Sequence, residues 1–424
     1  MRAIGIDVHR DFCELAVSEG GHLRSAGRVA STPQDLALLA ASLQADDEVA
    51  LETTGNALAI ARILAPHVAR VVVASAKELH AIAGAKAKTD RRDARTLARL
   101  LAGGMLEGTW LPDEEKRALR RRLSHRAQLV RARTRTKNEV QAVLYRNLVG
   151  TPSATDLFGA AGRRWLSKLA LPPDERETLH SCLATMAFLD GEIARFEGAI
   201  ARYATHSAEI RRVVTIPGVG LISAATFVAV IGEVSRFGSA RKLVGYLGLD
   251  PRVRQSGSSA AHMGHISKEG PSAARQALCE AAHAAMRTPG PLRAFGLRIA
   301  ARRGRQVAIV AVARKLATIA WRLLESGEDY AYANPAQVRL KWRRIELAAG
   351  EPSQKGRRTG VSLASSQERE LALAAERAYR RLVSDRQSRG SARKGAGAAL
   401  GRASGRALAG PSSAADGSAP ASAL

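Results

Sequence analysis

Residues Ala3 to Val17 read AIGIDVHRDFCELAV: an apolar run carrying Asp7 near its end, a polar break over His9 to Asp11, and a second apolar run from Cys13. Two short apolar runs around a polar break predict a β-hairpin that opens a sheet. A third strand is expected near Leu23 to Val29. Leu36, Leu39 and Leu43 then recur at spacings of three and four, which predicts an amphipathic helix from Pro33 to Leu43. Val49 to Leu51 forms the next strand with Glu52 at its end, and Ala57 to Leu64 reads as helical. Val71 to Ala74 is wholly apolar, as a buried parallel strand should be. Strands alternating with helices predict an α/β sheet with its site at the strand ends.

Beyond that sheet lies Gly84 to Leu101, GAKAKTDRRDARTLARLL. Leu97, Leu100 and Leu101 repeat at helical spacing, so Asp90 and Asp93, three residues apart, leave one helix face together. Lys86, Lys88, Arg91, Arg92 and Arg95 surround them and suit either charge neutralisation or a polyphosphate. Read alone, the stretch is equally a solvated helix of mixed charge. Asp7, Glu52, Asp90 and Asp93 come from three elements in a fixed order. Four converging carboxylates repel one another strongly unless divalent cations fill the cluster, typically two Mg²⁺ about 3.5–4 Å apart. Taken singly, Asp7 also fits a turn cap and Glu52 a surface residue.

The chain has 424 residues, enough for two or three domains, and 65 Lys plus Arg against 39 Asp plus Glu, a net charge of +26. The excess is spread along the chain and calls for a polyanionic partner. No apolar run is long enough to span a bilayer and MRAIGID lacks a signal-peptide pattern, so a soluble, cytoplasmic protein and no membrane partner are expected. Cys13, Cys182 and Cys279 are scattered and odd in number, as reduced packing residues would be. Aromatics make up only 4% of the chain, which argues for recognition through backbone charge and shape rather than base stacking.

From Asp113 the sheet signals stop. Between Arg120 and Arg146 nine Lys or Arg residues stand against one acid, Glu139, without Gly or Pro. This predicts a nucleic-acid-facing helix that uses Arg120, Arg121, Arg122, Arg131, Arg133, Arg135 and Lys137, with Arg91 and Arg92 of the earlier helix. After Pro152, Pro172 and Pro173, a helix over Asp174 to Tyr203 carries Leu189, Ile193, Phe196, Ile200 and Tyr203 at coiled-coil spacing, which needs a partner within the chain or from another subunit. Ile216 to Gly220, IPGVG, precedes an apolar helix, Leu221 to Ile231. Gly218 and Gly220 there suit a phosphate contact of the helix-hairpin-helix kind or an ordinary tight turn.

The stretch Gly245 to Gly270, GYLGLDPRVRQSGSSAAHMGHISKEG, is a Ser- and Gly-rich loop bordered by Arg252, Arg254 and Lys268. It suits holding or attacking a phosphodiester, or plain flexibility, and a serine nucleophile there needs outside activation. Helices are expected over Ser272 to Met286 and Arg302 to Trp321. Beyond Ala348 the composition turns to Gly, Ser, Ala and Arg, with one further helix at Gln367 to Leu382 and a disordered final forty residues.

The order GIDVH, LETTG and KTDRRDA resembles the N-terminal domain of insertion-sequence-110-type transposases, and the Gly245 to Gly270 stretch resembles their C-terminal transposase motif. The resemblance implies an α/β ribonuclease H-like, RuvC-like DEDD domain over 1–108 and a basic helical and coiled-coil linker over 109–206. It further implies a mostly α C-terminal transposase domain with a helix-hairpin-helix-like element over 207–347, followed by a low-complexity tail over 348–424. It assigns Asp7, Glu52, Asp90 and Asp93 to Mg²⁺ and Ser256 to the nucleophile, with Ser258 and Ser259 close by. It implies double-stranded DNA as substrate, an element-encoded guide RNA, a homo-oligomer (dimer or tetramer) and action at the nucleoid. Two other readings stay open: a RuvC-like nuclease using water, and a nonenzymatic nucleic-acid-binding protein.

Overall fold

A computed structural model describes residues 1–76, 79, 89–150, 152, 156–255, 257, 261–352 and 366–385. The expectations placed on Lys86, Lys88, Ser256, Ser258, Ser259 and the final forty residues lie outside that set. The chain divides into two compact units, Met1–Pro112 and Asp113–Leu424.

The first unit is a five-stranded sheet with strand order β3-β2-β1-β4-β5. β1 (Ala3–Val8), β2 (Phe12–Glu19) and β3 (His22–Ala30) form an antiparallel meander, and β4 (Glu48–Glu52) and β5 (Arg70–Ala74) add parallel strands beside β1. Side chains alternate across a strand, so β1 sends Ile4, Ile6 and Val8 to one face and Ala3, Gly5 and Asp7 to the other. On the first face these pack with Leu15, Val17, Val49 and Leu51 under α1 (Pro33–Ser42) and α2 (Ala57–Leu64). Each such buried aliphatic contributes about 1.5–3 kcal/mol. Thr32 starts α1 by accepting the Asp35 amide at 3.2 Å, with Pro33 preset for the first turn. The second face is covered by α3 (Asp90–Ala102), whose Leu97, Leu100 and Leu101 join Ala3, Ala50, Val72 and Ala74.

The second unit is mostly helical. α4 (Glu114–Arg146) begins at Asp113, whose carboxylate accepts the Lys116 amide at 2.7 Å. The short α5 (Ala160–Leu166) follows, and α6 (Pro173–Thr205) then runs antiparallel to α4. Arg126 pairs with Glu197, Arg133 with Asp190 and Arg146 with Glu175, and each step forward on one helix matches a step back on the other. The apolar seam of α6 is closed by α4 of the same chain: Leu189, Ile193 and Ile200 are buried, and the Phe196 ring lies 4.6 Å from His125.

α7 (Ala208–Val214) leads through IPGVG into α8 (Leu221–Ile231), the most apolar helix of this core. After α9 (Ala240–Tyr246), a two-stranded hairpin of β6 (Pro251–Arg254) and β7 (His262–Ile266) precedes α10 (Ser272–Ala285). The helix expected over Arg302 to Trp321 is present but starts three residues later and runs five further. α11 (Pro291–Arg303) stops and α12 (Arg305–Ser326) begins at Gly304, whose φ of 81° suits a residue without Cβ. α13 (Pro335–Ala349) follows, and helix α14, over 366–385, folds back onto this unit. Glu376 accepts the Gly290 amide at 3.0 Å and Glu368 the Ala336 amide at 2.9 Å. One helix thereby supplies carboxylates to the N-termini of α11 and α13, where unpaired amides favour them. Among the described residues, no helix is long and apolar enough to cross a membrane.

Candidate metal centre and nucleic-acid face

Asp7 sits on the small-residue face of β1 and is only 6% exposed. A Cβ added at Gly5 would fall inside the backbone of α3 at Ala94 and Ala98, so this glycine sets how closely the helix approaches the sheet. Ala16 of β2 packs on the same two alanines. Because α3 lies this close, its first turn, which holds Asp90 and Asp93, comes to the end of β1. Ile6 pairs with Leu51 in the parallel β1/β4 register, so Glu52 stands beside Asp7 at the next step.

The turn after β1 brings a further ligand. The His9 carbonyl accepts from Asn56 Nδ2 at 2.9 Å and Ser31 Oγ at 3.2 Å, and its amide donates to the Phe12 carbonyl at 2.9 Å. Its ring packs on Phe12, centroids 4.7 Å apart. Held this way, Nε2 lies 3.1 Å from Asp7 Oδ2 and 3.4 Å from Asp90 Oδ1. Nε2 is buried and makes no hydrogen bond of acceptable geometry despite that proximity. One ligand atom each from Asp7, His9 and Asp90 lie within 4.8 Å of one another, while Glu52 and Asp93 stand outside that trio.

Burial pushes the Asp7 carboxyl above its usual range. His9 offsets this in part, and repulsion from Asp93, Asp90 and Glu52 adds to it. The other three acids therefore all act on this one buried group. A buried, repelled carboxylate beside an orphaned imidazole nitrogen is what a divalent cation relieves, and oxygen donors with one nitrogen fit such an ion. The imidazole was not among the residues singled out in the sequence, although it belongs to the GIDVH segment. A polar side chain two residues past the strand-end acid was the available signal.

The expected nucleic-acid contacts are placed unequally. Arg120 turns inward: its Nε and Nη2 donate to the carbonyls of Ala229 and Val230 at 2.6 and 2.8 Å, at the C-terminus of α8. Burial lowers its pKa. Arg133 and Arg163 share Asp190, at 2.8 and 2.6 Å, and the Lys137 ammonium lies 4.7 Å over the Phe158 ring. Arg121 is exposed but bonded to Glu114 at 2.7 Å, whereas Arg122 is half-buried and Arg131 and Arg135 are exposed. In the first unit Arg91 and Arg92 are exposed on α3, with Arg91 Nε 3.5 Å from Glu14.

Gly218 has a φ of 85° and a Cβ there would strike the backbone of Ala281 and Ala285, so it permits close packing against α10. Gly220, by contrast, is exposed at the N-terminus of α8 with open space around it. Arg254 and Lys268 are exposed by the β6–β7 hairpin, and Arg252 donates to the Ser267 carbonyl at 3.2 Å.

Residues 4–147 match a transposase family of the DEDD, IS110 type. Residues 210–296 match the family described as "Transposase IS116/IS110/IS902 family". A candidate transposase of Sinorhizobium fredii, y4qE, is 32% identical over 206 residues, 47% of this chain and 48% of that relative, so the match spans about half its length. The transposase for insertion sequence element IS1111A of Coxiella burnetii is 29% identical over 252 residues, 57% of this chain and 68% of its own. A candidate family 20 transposase of Pseudomonas aeruginosa is 29% identical over 250 residues, 57% and 74% of the two chains. A DEDD transposase domain implies a ribonuclease H-like fold and divalent-metal use, in keeping with the mixed sheet and the cluster of Asp7, His9 and Asp90. Both halves of the match converge on one assignment: the chain belongs to the IS110-type transposase family.

Proposed function

We propose that this chain catalyses cleavage and exchange of DNA strands for an insertion sequence, by Mg²⁺-dependent phosphoryl transfer with Ser256 as nucleophile. The observation that carries the reading is the buried Asp7, repelled by Asp90, Asp93 and Glu52 and flanked by the unpartnered Nε2 of His9. Asp7, Glu52, Asp90 and Asp93 are the Mg²⁺-holding residues of the proposal. Bound there, Mg²⁺ supplies polarisation of a phosphoryl oxygen and stabilises the leaving oxygen. Ser256 Oγ displaces one DNA oxygen from phosphorus and its proton ends on the released hydroxyl. The product is a phosphoserine-linked strand, and conserving the ester lets exchange proceed without an external energy source. Asn56 and Ser31 fix the turn behind the acids, and Gly5 fixes the distance from sheet to helix.

The exposed cations Arg91, Arg92, Arg121, Arg131, Arg135, Arg254 and Lys268, with the open helix N-terminus at Gly220, are proposed to track nucleic-acid backbone. Within the second unit, the half-buried Arg122 and the partnered Arg133, Lys137 and Arg252 are assigned supporting positions beside its exposed cations. The proposal extends to an element-encoded guide RNA for choosing DNA sequence, a dimer or tetramer, and action in the cytoplasm at the nucleoid, on the resemblance to the family alone. The +26 charge and sparse aromatics suit such backbone-led binding. The α6 seam contributes no argument for the oligomer, since α4 already fills it.

The test is a trap. The protein is incubated with DNA of the element's ends, denatured, and examined for a protein-linked strand. Ser256→Ala abolishes the adduct and Ser258→Ala leaves it. Cleavage without an adduct favours water as nucleophile, and undiminished recombination by Asp90→Ala with Asp93→Ala favours a nonenzymatic binder.

A further inference from the structure

Glu14 of β2 is an acid that the metal cluster does not include, yet it is 1% exposed. It pairs directly with Asp7 across the antiparallel β1/β2 ladder, so both point from the same face of the sheet. A buried carboxylate needs a partner, and Glu14 has two: Arg28 Nε donates to its Oε2 at 2.6 Å, and Arg91 Nε lies 3.5 Å from its Oε1. Arg28 stands opposite Glu14 on β3, one residue beyond Gly27, whose φ is 88°. β3 has one extra residue here, Ala26, between the partners of Leu15 and Ala16, a bulge of the kind that re-aims a side chain.

The Arg28 guanidinium also lies 4.4 Å over the Phe12 ring, the ring on which His9 packs. Its Nη2 is 3.7 Å from Asp90 Oδ2, too long for a hydrogen bond. Among the described residues only Nε of this side chain donates a hydrogen bond, and the side chain is 59% exposed. It faces an open groove lined by Glu14, Gly27, Arg28, Thr89, Asp90 and Arg91. A guanidinium gripped by its Nε edge and one flat face, with its outer amines beside an acid of the metal cluster, is preorganised for an anion entering that groove.

We propose that Arg28 binds the phosphodiester undergoing transfer: its Nη groups donate to a non-bridging phosphoryl oxygen, and Glu14 is the positioning residue that aims them. This rests on the acid-cluster reading above. A preorganised donor at the reacting phosphate contributes most where negative charge builds on phosphorus, so its removal lowers turnover more than affinity. If Arg28 merely neutralised Glu14, its loss would lower stability and leave the phosphate untouched.

The test uses the full chain and a labelled duplex of the element's ends. In Ca²⁺, which allows binding to be read without turnover, Arg28→Ala is expected to reduce the slope of log affinity against log salt by about 1. In Mg²⁺ its strand cleavage is expected to fall about 100-fold, chiefly in kcat. Arg28→Lys is expected to recover part of the rate, because an ammonium keeps the charge without the fork. Mn²⁺ affinity, read by electron paramagnetic resonance, is expected to persist in Arg28→Ala. Glu14→Gln is expected to lower kcat while keeping the salt slope. An unchanged slope, wild-type cleavage by Arg28→Ala, or a cleavage loss matched by a parallel loss of Mn²⁺ binding overturns the proposal. Asp7→Asn separates the two readings: inactive Asp7→Asn beside fully active Arg28→Ala sinks the phosphate contact alone, whereas full activity in both sinks the acid cluster.

Discussion

Along β1, Ile4, Ile6 and Val8 face α1 and α2, whereas Ala3, Gly5 and Asp7 face α3. One strand thus has an oily face of large side chains and a lean face of small ones. The oily face supplies cohesion. The lean face lets a helix approach so closely that half-buried carboxylates from other elements crowd the buried Asp7, an arrangement that costs stability until a cation fills it. Stability and chemistry are therefore separated by two-residue alternation along six residues of chain.

The largest expected effect comes from removing the charge on the lean face. Asp7→Asn is expected to lower strand cleavage at least about 1,000-fold. Without metal, it is also expected to raise the thermal midpoint, because it deletes a buried repelled charge. The sign follows from the raised pKa of Asp7. The folded state keeps its proton at pH values where the unfolded chain has lost it, so that contribution falls away as pH rises above the ordinary carboxylate range. Asp7→Asn should flatten that loss in urea titrations without metal. A midpoint that falls in the variant would break the contrast between the two faces.

On the oily face, Ile6→Ala is expected to cost about 2–5 kcal/mol of stability through lost transfer energy and a cavity. Its metal affinity, measured below its melting range, should stay near wild type. On the lean face, Gly5→Ala is expected to cost about 1–3 kcal/mol, since the added methyl collides with α3 backbone rather than a yielding side chain. Here metal affinity should fall with stability, because moving α3 moves Asp90. Equal losses of affinity from Ile6→Ala and Gly5→Ala would erase the distinction.

The same alternation explains which parts of the fold are legible in the sequence. Apolar runs and Leu spacing mark β1, β2, β4, β5, α1 and α3 because each buries a whole face, and burial leaves a periodic trace. His9 leaves none. Its imidazole is aimed by Asn56, 47 residues away, and by Ser31, 22 residues away, through a turn that has no period. The basic run of α4 hides a similar choice. Arg120 and Arg121 are neighbours of one type, yet the first holds α8 carbonyls and the second meets solvent, because about 100° of helical rotation separates them. The partner of the α6 seam was open for the same reason: spacing shows that an apolar stripe needs covering, and only tertiary packing shows that α4 covers it.

The smallest expected effect sharpens the comparison from the second unit, which also buries a charge but answers it differently. Lys341 on α13 donates to the carbonyls of Val214 and Ile216, both at 2.9 Å, where α7 ends. Among the described residues no carboxylate takes part, and burial lowers its pKa to about 8. Between about pH 8 and 10.5 the unfolded chain keeps a proton that the folded state has released, so stability should rise with pH through that window. The rise expected from pH 8 to 9 is about 1 kcal/mol. Tyr330, pushed up to about 12 by burial, acts in the opposite direction only above pH 10. Chemical denaturation at the two pH values checks the slope, and Lys341→Met should remove it while losing two capping bonds. A wild-type slope that survives in Lys341→Met would mean that the ammonium is not what titrates. Backbone dipoles would then hold a buried cation without shifting it, whereas the buried Asp7, raised by burial and repelled by Asp93, Asp90 and Glu52, leaves a cation to do that work.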